Sequence, residues 1–260
     1  MLINSVILVL REVLEAAMVV SLFMALFTVL KQSHGYILRA ILLGLGAGVI
    51  YALNLPTFGQ WFEGVGQEVV NAFIHGGIFV CLLLFNFLFV SRPEERTSLL
   101  KACIGLAIVL AISRESAEVM LYISGFFGQQ SLILPVMTGS LIGMGLGLSI
   151  GVFLYYLMIS LSIKQTRQLI HFLVVLVAGS MAAQATQMLI QADWLPTTKV
   201  LWDSSSIVSE HSLMGQFLFA LMAYEARPTT LQVVVYGVSL LLMILAIVVG
   251  LQHRKQLQKA

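Results

Sequence analysis

Arg11-Glu12-Val13-Leu14-Glu15 and Arg114-Glu115-Ser116-Ala117-Glu118 repeat one pattern, R-E-x-x-E, and each copy sits inside an otherwise apolar stretch. At about 100° per residue of helix, the two glutamates of a copy lie about 60° apart and the arginine about 40° from the second glutamate. All three side chains therefore share one stripe. Chance would supply only about 0.01 copies of such a motif in a chain of this composition. A charge near the centre of a bilayer costs about 2.5–3.5 kcal/mol per residue, so both copies need a reason to persist. Intrahelical Arg–Glu bridges that hold helices in register account for one glutamate per arginine. They leave two glutamates without a positive partner, and those must be protonated or hold a cation. Carboxylate oxygens suit hard or borderline ions such as Fe(III), Fe(II), Mn(II), Mg or Ca, and do not suit soft copper(I). The spacing points to a cation site.

The elements that position these residues are membrane helices. Of the 260 residues, 59% are hydrophobic and only 10% charged, with mean hydropathy +0.98, against about 25% charged in a soluble domain. The apolar stretches predict an all-α polytopic membrane protein with seven transmembrane helices, at about 3–30, 37–55, 69–90, 102–126, 133–160, 170–191 and 230–250. Polar joints separate them: KQSHG, SRPEERTS and IKQTRQ after the first, third and fifth helices. A short helix is expected at about 213–224 in the last loop, closed by Pro228. The first stretch lacks a basic leader and is too long for a signal peptide, so it is expected to stay as a helix.

Positive charges orient the bundle. Lys31, Arg39, Arg92, Arg96, Lys101, Lys164, Arg167, Arg254, Lys255 and Lys259 share one side if the N-terminus is outside, and only Lys199 and Arg227 fall opposite. The outer side also carries Glu63, Glu68, Asp193, Asp203, Glu210 and Glu225. The reading is N-out and C-in. Because the motifs open two successive three-helix sets, the chain reads as an inverted 3+3 repeat plus a seventh helix, a plan common in secondary transporters. Gly44, Gly46 and Gly48 in the second helix, and Gly139, Gly143, Gly147 and Gly151 in the fifth, form small-residue ridges that let backbones approach. Helices one and four then run antiparallel. Glu12 is expected level with Glu118 and Glu15 with Glu115, with one arginine at each end of the cluster.

Other residue types point away from enzyme chemistry. Cys81 and Cys103 lie in separate apolar stretches without Cys-x-x-Cys spacing and read as buried hydrophobes. His75 is the one mid-membrane histidine; with His171 placed at a helix end it has no haem partner, and it reads as an interhelical hydrogen bond with a place on a cation path as the alternative. The twelve methionines are scattered as filler. Trp61, Trp194 and Trp202 fall in outer loops, as interfacial anchors do. No His-Glu-x-x-His or paired Gly-Asp motif is present.

The two R-E-x-x-E motifs, in helices one and four of a seven-helix chain, resemble those of the high-affinity iron permeases, also called the iron/lead transporter family. The stretch from Ala192 to Gly237, with its Trp202-Asp203-Ser204-Ser205 and short small-residue helix, is similar to that family's loop before the last helix. The resemblance implies one transmembrane permease domain over 1–260: repeat 1 at about 1–91, repeat 2 at about 101–192, an outer loop with a short helix at 193–229, helix seven at 230–251 and a cytoplasmic tail at 252–260. It implies iron import across a bacterial inner membrane, with Glu12, Glu15, Glu115 and Glu118 as metal ligands. Arg11 and Arg114 would orient them and balance their charge. Iron is then substrate, no permanently bound cofactor or nucleic acid is expected, and a separate iron oxidase or periplasmic iron-delivery protein is the expected partner beside the lipid bilayer. Permeases for Mn or Pb, or proton-coupled carriers on the same scaffold, remain the alternatives. The chain departs from relatives at Asn71, where many carry glutamate, and at Ile190-Gln191, where many carry a His-Glu or Gln-Glu pair. Gln184, Gln187 and Gln191 are expected chiefly as helix–helix hydrogen-bond formers.

Overall fold

The computed structural model describes residues 1–91 and 98–257. Among these residues it holds eight α-helices and no strand beyond the isolated Val200–Thr229 bridge. They are α1 (Leu2–Val29), α2 (Gly35–Phe58), α3 (Gly66–Ser91), α4 (Ser98–Ser124), α5 (Gln130–Ile159), α6 (Ile163–Gln191), the short α7 (Leu213–Met222) and α8 (Thr230–Leu257), with a 3-10 turn at Trp61–Gly64. Every long helix lies where hydropathy predicts it. Arg92, Arg96 and Lys259, three charges used for orientation, lie outside the described residues, as does most of the SRPEERTS joint.

Two boundaries differ from expectation. The sixth helix begins at Ile163 because Ser162 and Gln165 form a capping box, each satisfying the other's backbone N–H. His171 is thus inside α6 rather than at its end, and its Nδ1 meets Asn86 Oδ1 at 2.7 Å. At the other terminus α8 continues to Leu257, so the start of the expected basic tail is helical.

Five helices, α2, α3, α5, α6 and α8, are long and apolar enough to cross a membrane. Helices α1 and α4 have matching length but are interrupted by the motif charges. Polarity is distributed for lipid: large side chains such as Leu43, Leu53, Leu141, Phe153, Leu241 and Leu245 face outward, while Glu12, Glu15, Arg114, Glu115, His75 and Gln184 are buried. An aromatic group of Phe23, Phe85 and Phe89 fills the bundle beyond the charges, with Phe23 edge-on to Phe85 at 5.2 Å.

Glycine ridges set the packing. Helix α1 lies along α5, α2 along α4, and α3 along α6, with α8 against α3 and α6. A Cβ at Gly143 would lie 2.5 Å from Val6 O, and one at Gly147 2.9 Å from Val13 Cγ1. On the other pair, a Cβ at Gly44 would lie 2.9 Å from Ile112 Cβ, and one at Gly48 would collide with Ser116 Oγ. Each ridge therefore seats one motif helix, α5 beneath α1 and α2 beneath α4. Gly46 is different and faces open space. Gly48→Val is expected to lower the unfolding temperature of the detergent-purified protein and its membrane abundance, because overpacking costs about 1–3 kcal/mol. Gly46→Val should leave both near wild type.

Candidate metal centre

The register between α1 and α4 is antiparallel: Ser5 Oγ meets Tyr122 OH at 2.7 Å, and Glu12, one turn or more further along α1, meets Arg114 at 3.2 Å. Helix α3 also runs against α4, with Asn71 beside Glu118 at 3.4 Å. These registers sort the polar side chains into two levels. One holds Glu12, Glu118, Asn71 and Tyr51; the other holds Glu15, Glu115, His75 and Gln184.

Glu115 reaches both levels: toward the first, one oxygen each of Glu12, Glu115 and Glu118 lie within 4.8 Å of one another. Arg114 bridges all three. Its Nη1 is 2.6 Å from Glu115 Oε2 and 3.2 Å from Glu12 Oε2, and its Nη2 is 2.7 Å from Glu118 Oε1. Tyr51 OH donates to Asn71 Oδ1 at 2.9 Å, which turns the Asn71 amide nitrogen toward Glu118. Asn71 thus supplies a neutral hydrogen bond to Glu118.

At the second level, one oxygen each of Glu15 and Glu115 and a ring nitrogen of His75 lie within 4.8 Å of one another. Gln184 Nε2 donates to Glu15 Oε2 at 3.0 Å and to Ser180 Oγ at 3.2 Å. Gln184 therefore makes the interhelical hydrogen bond that the sequence suggests, and it makes it to a motif glutamate. Gln191, at the end of α6, is exposed.

The arginines do not sit one at each end of the cluster. Arg114 lies inside it, 3% exposed, because its planar fork reaches three carboxylates at once. Arg11 lies at the side: its Nε is 3.5 Å from Glu15 Oε1 and its guanidinium stacks 3.6 Å from the centre of the Phe219 ring. Phe219 comes from α7, which packs against α1 and α6. Ser212 caps α7 by accepting from Gly215 N at 3.0 Å, and Ala223 ends it in the left-handed region at φ 50°. The short helix thus has a task that its composition did not announce.

A cavity of about 200 Å³ opens beside this region, lined by Gln184, Gln187, Glu225, Gln232, Trp202 and Tyr224 among others. Glu225 accepts from Gln232 Nε2 at 3.0 Å, and burial holds its carboxyl above the usual carboxylate range. Two other outer acids serve the loop itself. Glu210 accepts from Ala226 N at 2.6 Å. Asp203 faces Arg227 at 3.5 Å, and hydrogen bonds from Ser205 hold its carboxyl below the usual range. On its far side Glu115 borders a hollow of about 600 Å³ between α1, α2, α4 and α5, lined almost wholly by apolar side chains. The cavity at Gln184 is thus joined to a motif carboxylate through the Gln184–Glu15 hydrogen bond.

Residues 83–257 match the model described as "Iron permease FTR1 family". The chain belongs to that family. The FTR1 match includes Arg114, Glu115, Glu118, Gln184 and Phe219. The chain is also similar, at 24% identity over 257 residues, to the ferrous iron permease EfeU of Escherichia coli O6:H1, covering 92% of this chain and 93% of the relative. The ferrous iron permeases EfeU of Yersinia pestis and Shigella sonnei are 24% identical over 252 and 249 residues, each covering 89% of this chain and 88% and 90% of the relative. No solved structure matches the chain. With its run of apolar helices, this FTR1-family protein is a multi-pass protein of the bacterial cell membrane.

Proposed function

We propose that the chain imports iron across the cytoplasmic membrane through Glu12, Glu15, Glu115 and Glu118, with Arg11 and Arg114 as supporting charges. The observation that carries this is the convergence of four buried or nearly buried carboxylates and one buried guanidinium in an otherwise apolar bundle. Four ionised carboxylates against Arg11 and Arg114 leave two negative charges in excess. A divalent cation brings the cluster to neutrality, whereas a trivalent one overshoots it. This favours Fe(II), in keeping with the ferrous permease name of the similar proteins.

In this reading α1–α6 and α8 are the seven spans, α7 dips part-way beside α1, and the N-terminus is outside. Lys31, Arg39, Lys101, Lys164, Arg167, Arg254 and Lys255 then face the cytoplasm. An inverted repeat of about 1–91 and 101–192, within one permease domain, is supported by reciprocal packing. The first motif helix lies on the second helix of the other half, and the second motif helix does the same in return. The cation approaches through the cavity at Glu225, Gln187 and Gln184, exchanges water for carboxylate oxygens, displaces Arg114 from part of its ion-pair set, and leaves inward. Iron reaches it from a separate periplasmic iron-delivery partner, since an iron oxidase would supply Fe(III). The protein is a carrier and performs no covalent chemistry.

The test is radioactive iron uptake by cells lacking other iron importers, comparing wild type with Glu12→Gln at matched membrane abundance. Loss of at least about tenfold is expected, since removing a metal ligand exceeds the effect of disturbing its supporting partner. Wild-type uptake by the variant would make the motif structural. Excess Mn(II) or Pb(II) in the same assay separates iron import from the alternative cargoes.

A further inference from the structure

His75 is fully buried, and its two ring nitrogens have different surroundings. Nδ1 lies 2.9 Å from the carbonyl oxygen of Asn71. A carbonyl only accepts, so Nδ1 carries a proton and donates it. In the neutral ring, Nε2 is then left with a lone pair, and it has no hydrogen-bond partner among the described residues. Fixing Nδ1–H on a backbone carbonyl is how proteins commonly aim the other imidazole nitrogen at a metal. Two further buried oxygens nearby also lack hydrogen bonds: Glu15 Oε1, which only faces Arg11 Nε at 3.5 Å, and Gln184 Oε1. A buried polar atom without a partner is costly, so several in one place need a purpose.

The two levels of the cluster differ in chemistry. Glu12, Glu115 and Glu118 offer oxygen alone, and all three pair with Arg114. Glu15, His75 and Glu115 offer two oxygens and one nitrogen, and neither Glu15 nor His75 touches Arg114 through a hydrogen bond. We infer that Glu15, His75 and Glu115 form a second metal position, distinct from the all-oxygen one and sharing Glu115 with it, in which His75 Nε2 is a ligand that selects divalent transition ions over Mg(II) and Ca(II). The inference rests on the reading of the glutamates as a cation path. Imidazole suits Fe, Zn, Cu and Ni, whereas Mg and Ca favour oxygen ligands. An ion handed from one level to the other on Glu115 moves from an oxygen-only set to a nitrogen-bearing one. Hard ions gain nothing from that step.

The experiment uses purified protein reconstituted in liposomes, with anaerobic Fe(II) uptake measured for wild type, His75→Gln and Glu115→Gln, each with and without excess Mg(II). His75→Gln is expected to raise KM about tenfold or more and to make uptake newly sensitive to Mg(II). A second readout is pulsed electron paramagnetic resonance of wild-type protein with one equivalent of Fe(II), made detectable by adding nitric oxide, in which imidazole nitrogen modulates the echo. That modulation should vanish in His75→Gln and in Glu115→Gln, which removes the shared ligand. An unchanged KM, unchanged Mg(II) sensitivity, or an echo without histidine nitrogen in wild type overturns the nitrogen position while leaving the glutamate path standing. Wild-type uptake by Glu115→Gln defeats the path itself.

Discussion

Glu115→Gln is expected to lower iron uptake by about 100-fold or more, while the protein still inserts and folds. Glu115 is the one carboxylate that belongs to both groups of converging ligands. Its side chain is 6% exposed and its Oε2 makes the 2.6 Å contact with Arg114. The amide keeps the volume and one oxygen, so packing against α1 survives. It removes a formal charge from each proposed metal position at once, and loss of a supporting partner alone already costs about 10–100-fold in metal affinity. Glu118→Gln should cost less, about tenfold, because its side chain is 24% exposed and Asn71 continues to hydrogen-bond it. Uptake at matched membrane abundance measures the order. Equal losses for Glu115→Gln and Glu118→Gln would argue against a shared central ligand.

Arg114→Leu has the largest expected effect on stability. Without the guanidinium, Glu12, Glu115 and Glu118 face one another within 4.8 Å with no cation between them. Removing one partner of a buried ion pair costs about 3–5 kcal/mol because it strands the other charge. Arg114→Leu should therefore unfold at markedly lower temperature in detergent and reach the membrane in lower amount. Arg114→Lys should recover only part of this, since one ammonium cannot copy a fork that bonds through both Nη1 and Nη2. Arg11→Leu is the contrast. Arg11 is 35% exposed, with one carboxylate at 3.5 Å and the Phe219 ring at 3.6 Å, so its loss should cost about 1 kcal/mol. Thermal unfolding of the three variants decides it, and an Arg114→Leu protein as stable as wild type would show that the charges do not depend on each other.

The motif pairs show what a sequence can carry. An antiparallel pair of helices, read from the repeated motif, and a stripe of three charges on each were enough to anticipate Glu12 near Glu118 and Glu15 near Glu115, but not Glu12 near Glu115 as well. The position of Arg114 was not accessible in this way. A long side chain goes where several acceptors converge, and that depends on helices brought together from distant parts of the chain. His75 was expected to bond across helices; its Nδ1 instead meets the Asn71 carbonyl one turn back in α3, and what its other nitrogen faces depends on α3 lying against α4. Phe219 lay hidden because α7 reads as a loop helix until Arg11 stacks on it. The start of α6, by contrast, was legible and missed. Ser162 followed by Gln165 is a capping-box signature, and the polarity of IKQTRQ outweighed it. The glycine ridges announced close packing correctly, but which helix each would seat depends on the pairing of the two halves.

The most direct measurement is iron flux into liposomes that contain only this purified protein, compared with a protein in which Glu12, Glu15, Glu115 and Glu118 are all glutamine. The account predicts time-dependent Fe(II) accumulation for the wild type and background for the quadruple variant at equal amounts of folded protein in the liposomes. Iron flux through the quadruple variant at the wild-type rate would contradict it, and would remove these four carboxylates from the path.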